Sequence, residues 1–339
     1  MISAPAKIET SNVDDLVGQM VSAYEKDREA PLGIDLHGVQ SISRPAGAVL
    51  VNALVTELNA ATLALKEPER SPIPKLTHSG LGFAFANREG KTTFQHLTDA
   101  ELQLDRWKLP WTPARQRANV QEEQVDDDQA LPDVGDAPLL FKAHAAFVNP
   151  HATSRRTYRR DIPNRVQGWL TSLLPPRARG TGGFLDDLQS LVYELVDNVA
   201  EHAWPQGDPQ PLSLVQVSVA RGNSSDIRDR IWVVVLDTGP GIPKTAAPKI
   251  GGPQRTNDDL VKGLLNGEFL QSEHRARGFG LPRVAKICSR WRDSKLSLFS
   301  DSVRITSENG DVTTTPTSHR IRGTLIVAKF ATPPVPNTN

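Results

Sequence analysis

The chain has 339 residues, which suggests about two domains, and its 38% hydrophobic and 23% charged residues allow two modest cores. Lys and Arg total 39 and so do Asp and Glu, so the composition carries no strong nucleic-acid or anionic-membrane signal. One cysteine, Cys288, excludes an internal disulfide and a thiolate metal cluster, and no apolar run reaches the length that spans a bilayer.

The N-terminus lacks the charged and apolar regions of a signal peptide, so a cytoplasmic protein without a membrane partner is expected. An amphipathic helix is predicted from about Val13 to Glu29, with Asn12 or Asp14 as its cap. Gly33–Leu36 reads as a strand, Ala46–Leu65 carries apolar residues at helical spacing, and Leu81–Ala86 is again strand-like. Strand, helix, strand in this order predicts a small α/β domain over 1–109. From 110 to 138 the chain turns polar and aperiodic, with Asp126, Asp127 and Asp128 in a row, and reads as a flexible linker. That acidic run is a solvated charge cluster before it is a cation site, because no scaffold fixes its geometry.

The second domain is predicted over 139–332, with 333–339 a disordered tail. Helices are expected from about Ile162 to Leu174 and from Phe184 to Ala203, then strands over Leu212–Ala220 and Ile231–Leu236. A flexible stretch from Pro243 to Arg277 contains a short helix near Asp258–Leu265, and a further helix follows at Leu281–Trp291. Strands near Lys295–Ser300, Val303–Ser307 and Gly323–Phe330 close the domain, with Asn309–Gly310 as a type I′ hairpin signal. A late antiparallel meander packed under helices makes the fold class α+β.

Three segments of this half carry chemistry. Glu194, Asn198 and His202 fall at i, i+4 and i+8, so they share one helix face and step about 6 Å along it. An Asn oxygen suits Mg²⁺, and a Glu one turn away suits proton abstraction from an attacking oxygen. The same residues also make an ordinary amphipathic helix. Asp237-Thr238-Gly239-Pro240-Gly241-Ile242 closes an apolar strand, where a buried carboxylate needs a donor such as an exocyclic amine. A tight Asp-initiated turn is the plainer alternative. Arg277-Gly278-Phe279-Gly280-Leu281 is a glycine loop entering a helix, able either to cradle phosphate or merely to cap that helix.

Together, in this order, these segments resemble the N, G1 and G2 boxes of the GHKL ATPase superfamily, and Gly323-Thr324 resembles its terminal Gly-Thr element. The likeness covers about Asp161–Phe330. It implies a Bergerat α/β sandwich, a mixed sheet backed by helices, that binds ATP and Mg²⁺. By the resemblance, Asp237 and Thr324 hold the adenine amino group, with Gly239, Gly241 and Ile242 shaping the turn beside it. Asn198 ligates Mg²⁺ and Glu194 is the catalytic base. Arg277, Gly278, Phe279, Gly280 and Leu281 hold the phosphates, under a lid running from Lys244 to Arg277. His202 matches a histidine of the anti-sigma-factor serine-kinase branch. A sensor histidine kinase is disfavoured, since His144 and His151 sit outside any heptad pattern, and the chain ends soon after Phe330, where other branches carry a transducer domain.

In the front half, the run from Gly33 to Gly47 followed by a helix resembles a STAS domain, a fold that puts a phosphorylatable Ser or Thr at the tip before the helix. The matching tip here, Ser43-Arg44-Pro45-Ala46-Gly47, departs from that pattern at the usual acceptor position. That makes the front half an interaction or sensing module. The whole reads as a regulatory ATPase or serine/threonine kinase whose nucleotide state controls an unidentified protein partner. The alternative is a nucleotide sensor without chemistry. Analogy with the anti-sigma branch allows a homodimer, which nothing in the residues tests.

Overall fold

The computed structural model describes residues 1–66, 81, 84, 89–94, 139–143, 152–174, 183–203, 213–220, 229–250, 255–269, 280–315, 317 and 319–333. The segment expected as a linker, 110–138, lies outside them, as do His144, His151 and 334–339.

The N-terminal part runs β1 (Ile2–Ser3), β2 (Lys7–Ile8), α1 (Val13–Lys26), β3 (Leu32–Asp35), β4 (Ser41–Ile42), α2 (Arg44–Val55), β5 (Leu63–Lys66) and β6 (Thr92–Phe94). Its sheet has the order β1-β3-β5-β6 with every pair parallel, as an α/β unit requires. Asn12 precedes α1 without capping it; its side chain instead ties Glu9 N–H to the Lys7 carbonyl. Ser43 does cap α2, accepting from the Ala46 amide.

Two expectations here are corrected. Ala46–Leu65 is not one helix: α2 stops at Val55, and Leu63–Lys66 is a parallel strand. Residues 46–54 are buried all round, which erases the amphipathic rhythm that would have marked the end of the helix. Leu81 and Ala84 are helical rather than strand. Both are buried, and residues three apart share a helical face, whereas in a strand they would point to opposite sides.

The C-terminal part begins with β7 (Leu139–Ala143), α3 (Ala152–Leu173) and α4 (Phe184–Asn198), which continues as a π turn over Val199–Ala203. Then come β8 (Ser213–Ala220), β9 (Arg230–Asp237), α5 (Ile242–Ile250), α6 (Asn257–Asn266), α7 (Gly280–Arg290), β10 (Lys295–Asp301), β11 (Val303–Glu308), β12 (Asp311–Thr314) and β13 (Ile321–Ala331). The sheet has the order β12-β11-β10-β13-β9-β8-β7. All six pairings are antiparallel, so the mixed sheet implied by the resemblance is corrected to an antiparallel one. Asn309 and Gly310, at φ 52° and 93°, make the predicted hairpin between β11 and β12.

Alternation along β9 and β13 explains how this sheet is covered on both faces. Val233, Val235, Ile326, Ala328 and Phe330 point into a core shared with α3, α4 and α7. Phe184 at the start of α4 is fully buried there, edge-on to Trp291 at 5.0 Å and to Phe330 at 6.3 Å. Val234, Leu236, Leu325 and Val327 point the other way, into a single core with the N-terminal sheet and helices. The result is three layers: N-terminal module, antiparallel sheet, helices. α3 begins ten residues before the expected start and runs through Pro163. Its Arg159 makes ion pairs with Asp197 at 2.7 Å and Glu201 at 3.2 Å, clamping it to the end of α4. Among the described residues, no helix is long and apolar enough to cross a membrane.

Candidate functional site

The site lies where α4, the end of β9, the start of α7 and the start of β13 converge. On α4 the acidic first turn, Asp186 and Asp187, complements the helix dipole, and the buried stripe Leu188, Leu191, Leu195 fixes which face looks outward. Glu194 and Asn198 lie beside that stripe, one turn apart. At Val199 the hydrogen-bonding register loosens into the π turn. His202 belongs to that turn, with Nε2 3.9 Å from Glu201 Oε2, so it no longer continues the α-helical line set by Glu194 and Asn198.

Gly280 begins α7 directly against Asn198. A Cβ at this position would stand 2.7 Å from Asn198 Oδ1 and 2.9 Å from Nδ2, so any side chain here would have to displace the Asn198 amide. Asn198 Nδ2 is buried without a hydrogen-bond partner. Leu281 packs against the core beside it. Arg277, Gly278 and Phe279 lie outside the described residues. Within the expected lid, the short helix predicted near Asp258–Leu265 is α6, whose Val261 and Leu265 are core residues, while α5 over Ile242–Ile250 was not predicted from the sequence. Thr256 caps α6 through the Asp259 amide, and Gly267 closes it at φ 73°.

Asp237 ends β9 with 5% of its surface exposed. It points toward the helix layer, by the same alternation as Val233 and Val235. Burial pushes its carboxyl up to about 7, against the pull of the Gly239 amide and of the Thr324 amide and hydroxyl. The Gly239 amide donates to Oδ1 at 2.8 Å. Thr324 is the cross-strand neighbour of Asp237 on one side and Ser213 on the other. Ser213 Oγ is buried without a partner, a second polar atom at this end of the sheet with bonding capacity to spare.

Ser300, which sequence reasoning missed, ties the turn together. Its hydroxyl accepts from the Ile242 amide and donates to the Gly323 carbonyl, both at 2.9 Å, and lies 3.5 Å from Thr324 Oγ1. Gly241, at φ 84°, packs against the same hydroxyl. A serine closing an apolar strand has no local signature that could have singled it out.

Glu194 is raised above the usual carboxylate range, chiefly by burial; Arg283 pulls it down and Asp197 pushes it up. Arg283 Nη1, from α7, meets Glu194 Oε1 at 2.8 Å. Cys288 is buried and its thiol is pushed up to about 12, which removes it as a nucleophile.

Residues 183–332 match the family described as histidine kinase-, DNA gyrase B-, and HSP90-like ATPase. The match covers 150 of the chain's 339 residues, and over that span the chain is similar to GHKL-type ATPase domains. No curated protein shows a significant match to the chain. GHKL domains bind ATP, generally with Mg²⁺, and the arrangement around this one fits both. The unpartnered Asn198 Nδ2 is a donor available to a phosphate oxygen, and Asn198 Oδ1 is the hard oxygen ligand that Mg²⁺ would take. Among the described residues no cluster of three His, Cys, Asp or Glu is placed to hold an ion. At the other end, Asp237, Thr324 and Ser213 present acceptors and donors suited to the edge of a purine.

Proposed function

We propose that the protein is an ATP–Mg²⁺-dependent regulatory ATPase or serine/threonine protein kinase of the anti-sigma type, whose nucleotide state controls partner binding. The observation that carries it is the pairing of a buried, hydrogen-bonded Asp237 with the close approach of Gly280, at the start of α7, to the buried Asn198 amide. One recognises the base of a nucleotide and the other its phosphates. Asp237 accepts the adenine amino hydrogen, and Thr324 and Ser213 orient the ring. Asn198 holds Mg²⁺, which supplies charge neutralisation on the phosphates when bound. Glu194 takes a proton from the attacking water or hydroxyl oxygen, and burial suits it to that task by raising its affinity for the proton. The N-terminal module, STAS-like in its strand–tip–helix order, presents the partner-facing surface.

A second reading has one observation in its favour. Glu194 is already engaged by Arg283, so the domain as it stands holds its base neutralised, as a sensor without chemistry could. Asn198→Ala and Glu194→Gln separate the readings when ATP–Mg²⁺ affinity and turnover are measured together. The enzyme reading requires Asn198→Ala to lose metal-dependent affinity and Glu194→Gln to keep affinity while losing turnover. Turnover untouched by Glu194→Gln rejects Glu194 as the base, and wild type that binds ATP–Mg²⁺ without turning it over rejects the enzyme reading.

A further inference from the structure

We infer that Asn52, on α2 of the N-terminal module, is a positioning residue for the adenine end of the ATP site, so that this module sets nucleotide affinity. The inference rests on the nucleotide-site reading above and adds to it the route by which the two halves communicate.

The argument starts from an irregularity in β13. Against β10, Ser300 pairs with Thr324 but the next residue, Asp301, pairs with Ile321, so Arg322 and Gly323 fall outside the register as a bulge. Gly323 sits at φ 89°, and a Cβ there would collide with the Asp237 carbonyl and stand 2.9 Å from Asp237 Oδ1. The bulge is therefore what delivers Thr324 to Asp237 in the right register. Its two carbonyls are out of the ladder with β10 and take side-chain donors instead. Gly323 O accepts from Ser300 Oγ, inside the ATPase domain. Arg322 O accepts at 2.9 Å from Asn52 Nδ2, from a residue 270 positions away.

Asn52 is fully buried, in a helix whose other residues from 46 to 54 are alanine, glycine, valine and leucine. An amide there is costly unless it does something apolar packing cannot, and Asn52 Oδ1 is left without a partner. The one bond it makes fixes the bulge. Neighbouring contacts tie α2, a residue just past its end and the segment before α1 to the face of the sheet that the N-terminal part covers. Arg44 stacks over Trp232 at 5.7 Å, Arg304 donates to the Thr10 carbonyl at 3.0 Å, and His319 lies 4.0 Å from Glu57. A shift of α2 along β9 and β13 withdraws the Asn52 amide and frees the bulge beneath Thr324. By linkage, nucleotide that requires the ordered bulge favours the docked position of α2.

The test uses the full chain and calorimetric titration with ATP–Mg²⁺ and with ADP, well below the unfolding temperature. Asn52→Leu removes the donor at similar volume and also removes the unpartnered oxygen. Its dissociation constants rise about three- to tenfold, by the same factor for both nucleotides, because the loss is at the adenine end. Val49→Ala, one turn earlier on the same face of α2, lowers thermal stability and keeps nucleotide affinity within about twofold. If the leucine variant does not fold, Asn52→Ala carries the same expectation. Wild-type affinity in Asn52→Leu, or an equal loss in Val49→Ala, overturns the inference and leaves the nucleotide site standing. No nucleotide binding by the wild type overturns both.

Discussion

Replacing Asp237 by asparagine sets the stability of the fold against its proposed ligand. Burial lifts this carboxyl from 3.8 to about 7, which corresponds to about 4 kcal/mol against the ionised form. In the unfolded chain it ionises near 3.8, so between the two values the folded state keeps a proton that the unfolded state has released. The stability owed to the neutral carboxyl is thus complete below about pH 4 and is lost as pH rises through about 7. Asparagine has the same shape, carries no charge and can still accept from the Gly239 amide. The melting temperature of Asp237→Asn relative to wild type therefore rises between pH 4 and pH 8 by the equivalent of about 2–4 kcal/mol, or roughly 5–10 °C. Thermal unfolding of both proteins without nucleotide, at matched ionic strength, measures this directly. Adding ATP–Mg²⁺ at pH 8 reverses the ranking of benefit. Wild type gains stability from a carboxylate that accepts the adenine amine, while the variant turns an N–H toward that amine and gains little. A melting difference that stays constant with pH, or equal stabilisation of both proteins by ATP, refutes the reasoning.

Other substitutions test other parts of the site. Gly280→Ala puts a methyl group 2.7 Å from Asn198 Oδ1, so ATP–Mg²⁺ affinity falls about tenfold in titrations while ADP without metal is affected less. Arg283→Ala removes the group that pulls Glu194 down, leaving burial to raise it further. The rising limb of the pH–rate profile then moves to higher pH, and an unmoved limb shows that Glu194 is not the titrating base. Deleting the N-terminal module uncovers Val234, Leu236, Phe299, Leu325 and Val327 on one face of the sheet. The remaining domain is expected to self-associate, with dye binding to exposed apolar surface and a shortened elution volume as the measurements.

How much of this was legible in the sequence depended on whether the governing contacts are local. α4 and α7 carry strong one-sided apolar patterns; α7 was readable to within a residue at each end, and α4 at its start, with its α-helical part ending at Asn198, before the expected Ala203. Asn309–Gly310 forced its hairpin by backbone preference alone. Asp237 and the glycines could be singled out because their chemistry requires particular residue types at short spacing. α2 was misjudged at its C-terminal end for the opposite reason: a helix buried between two sheets has no polar face, so its stop at Val55 is invisible. The π turn after Asn198 has no compositional mark, and it is what takes His202 off the line predicted by strict 3.6-residue spacing. Ser300 and Asn52 were beyond any local reading, since each acts on β13 from a distant part of the chain.

The two faces of β9 and β13 show how the N-terminal module and the candidate site can share strands while sharing few residues. Asp237 and Thr324 point toward the helices, while Leu236 and Leu325, their immediate neighbours in sequence, point into the N-terminal core. A strand cannot be displaced on one face and stay fixed on the other, because alternate side chains ride on one backbone. The bulge at Arg322 and Gly323 concentrates that coupling, since its carbonyls are held by one donor from each side of the sheet. Packed interfaces shift between discrete arrangements rather than deforming smoothly. The inferred control of the site by a domain docked in this way therefore runs through the strand the two share and requires no contact with nucleotide.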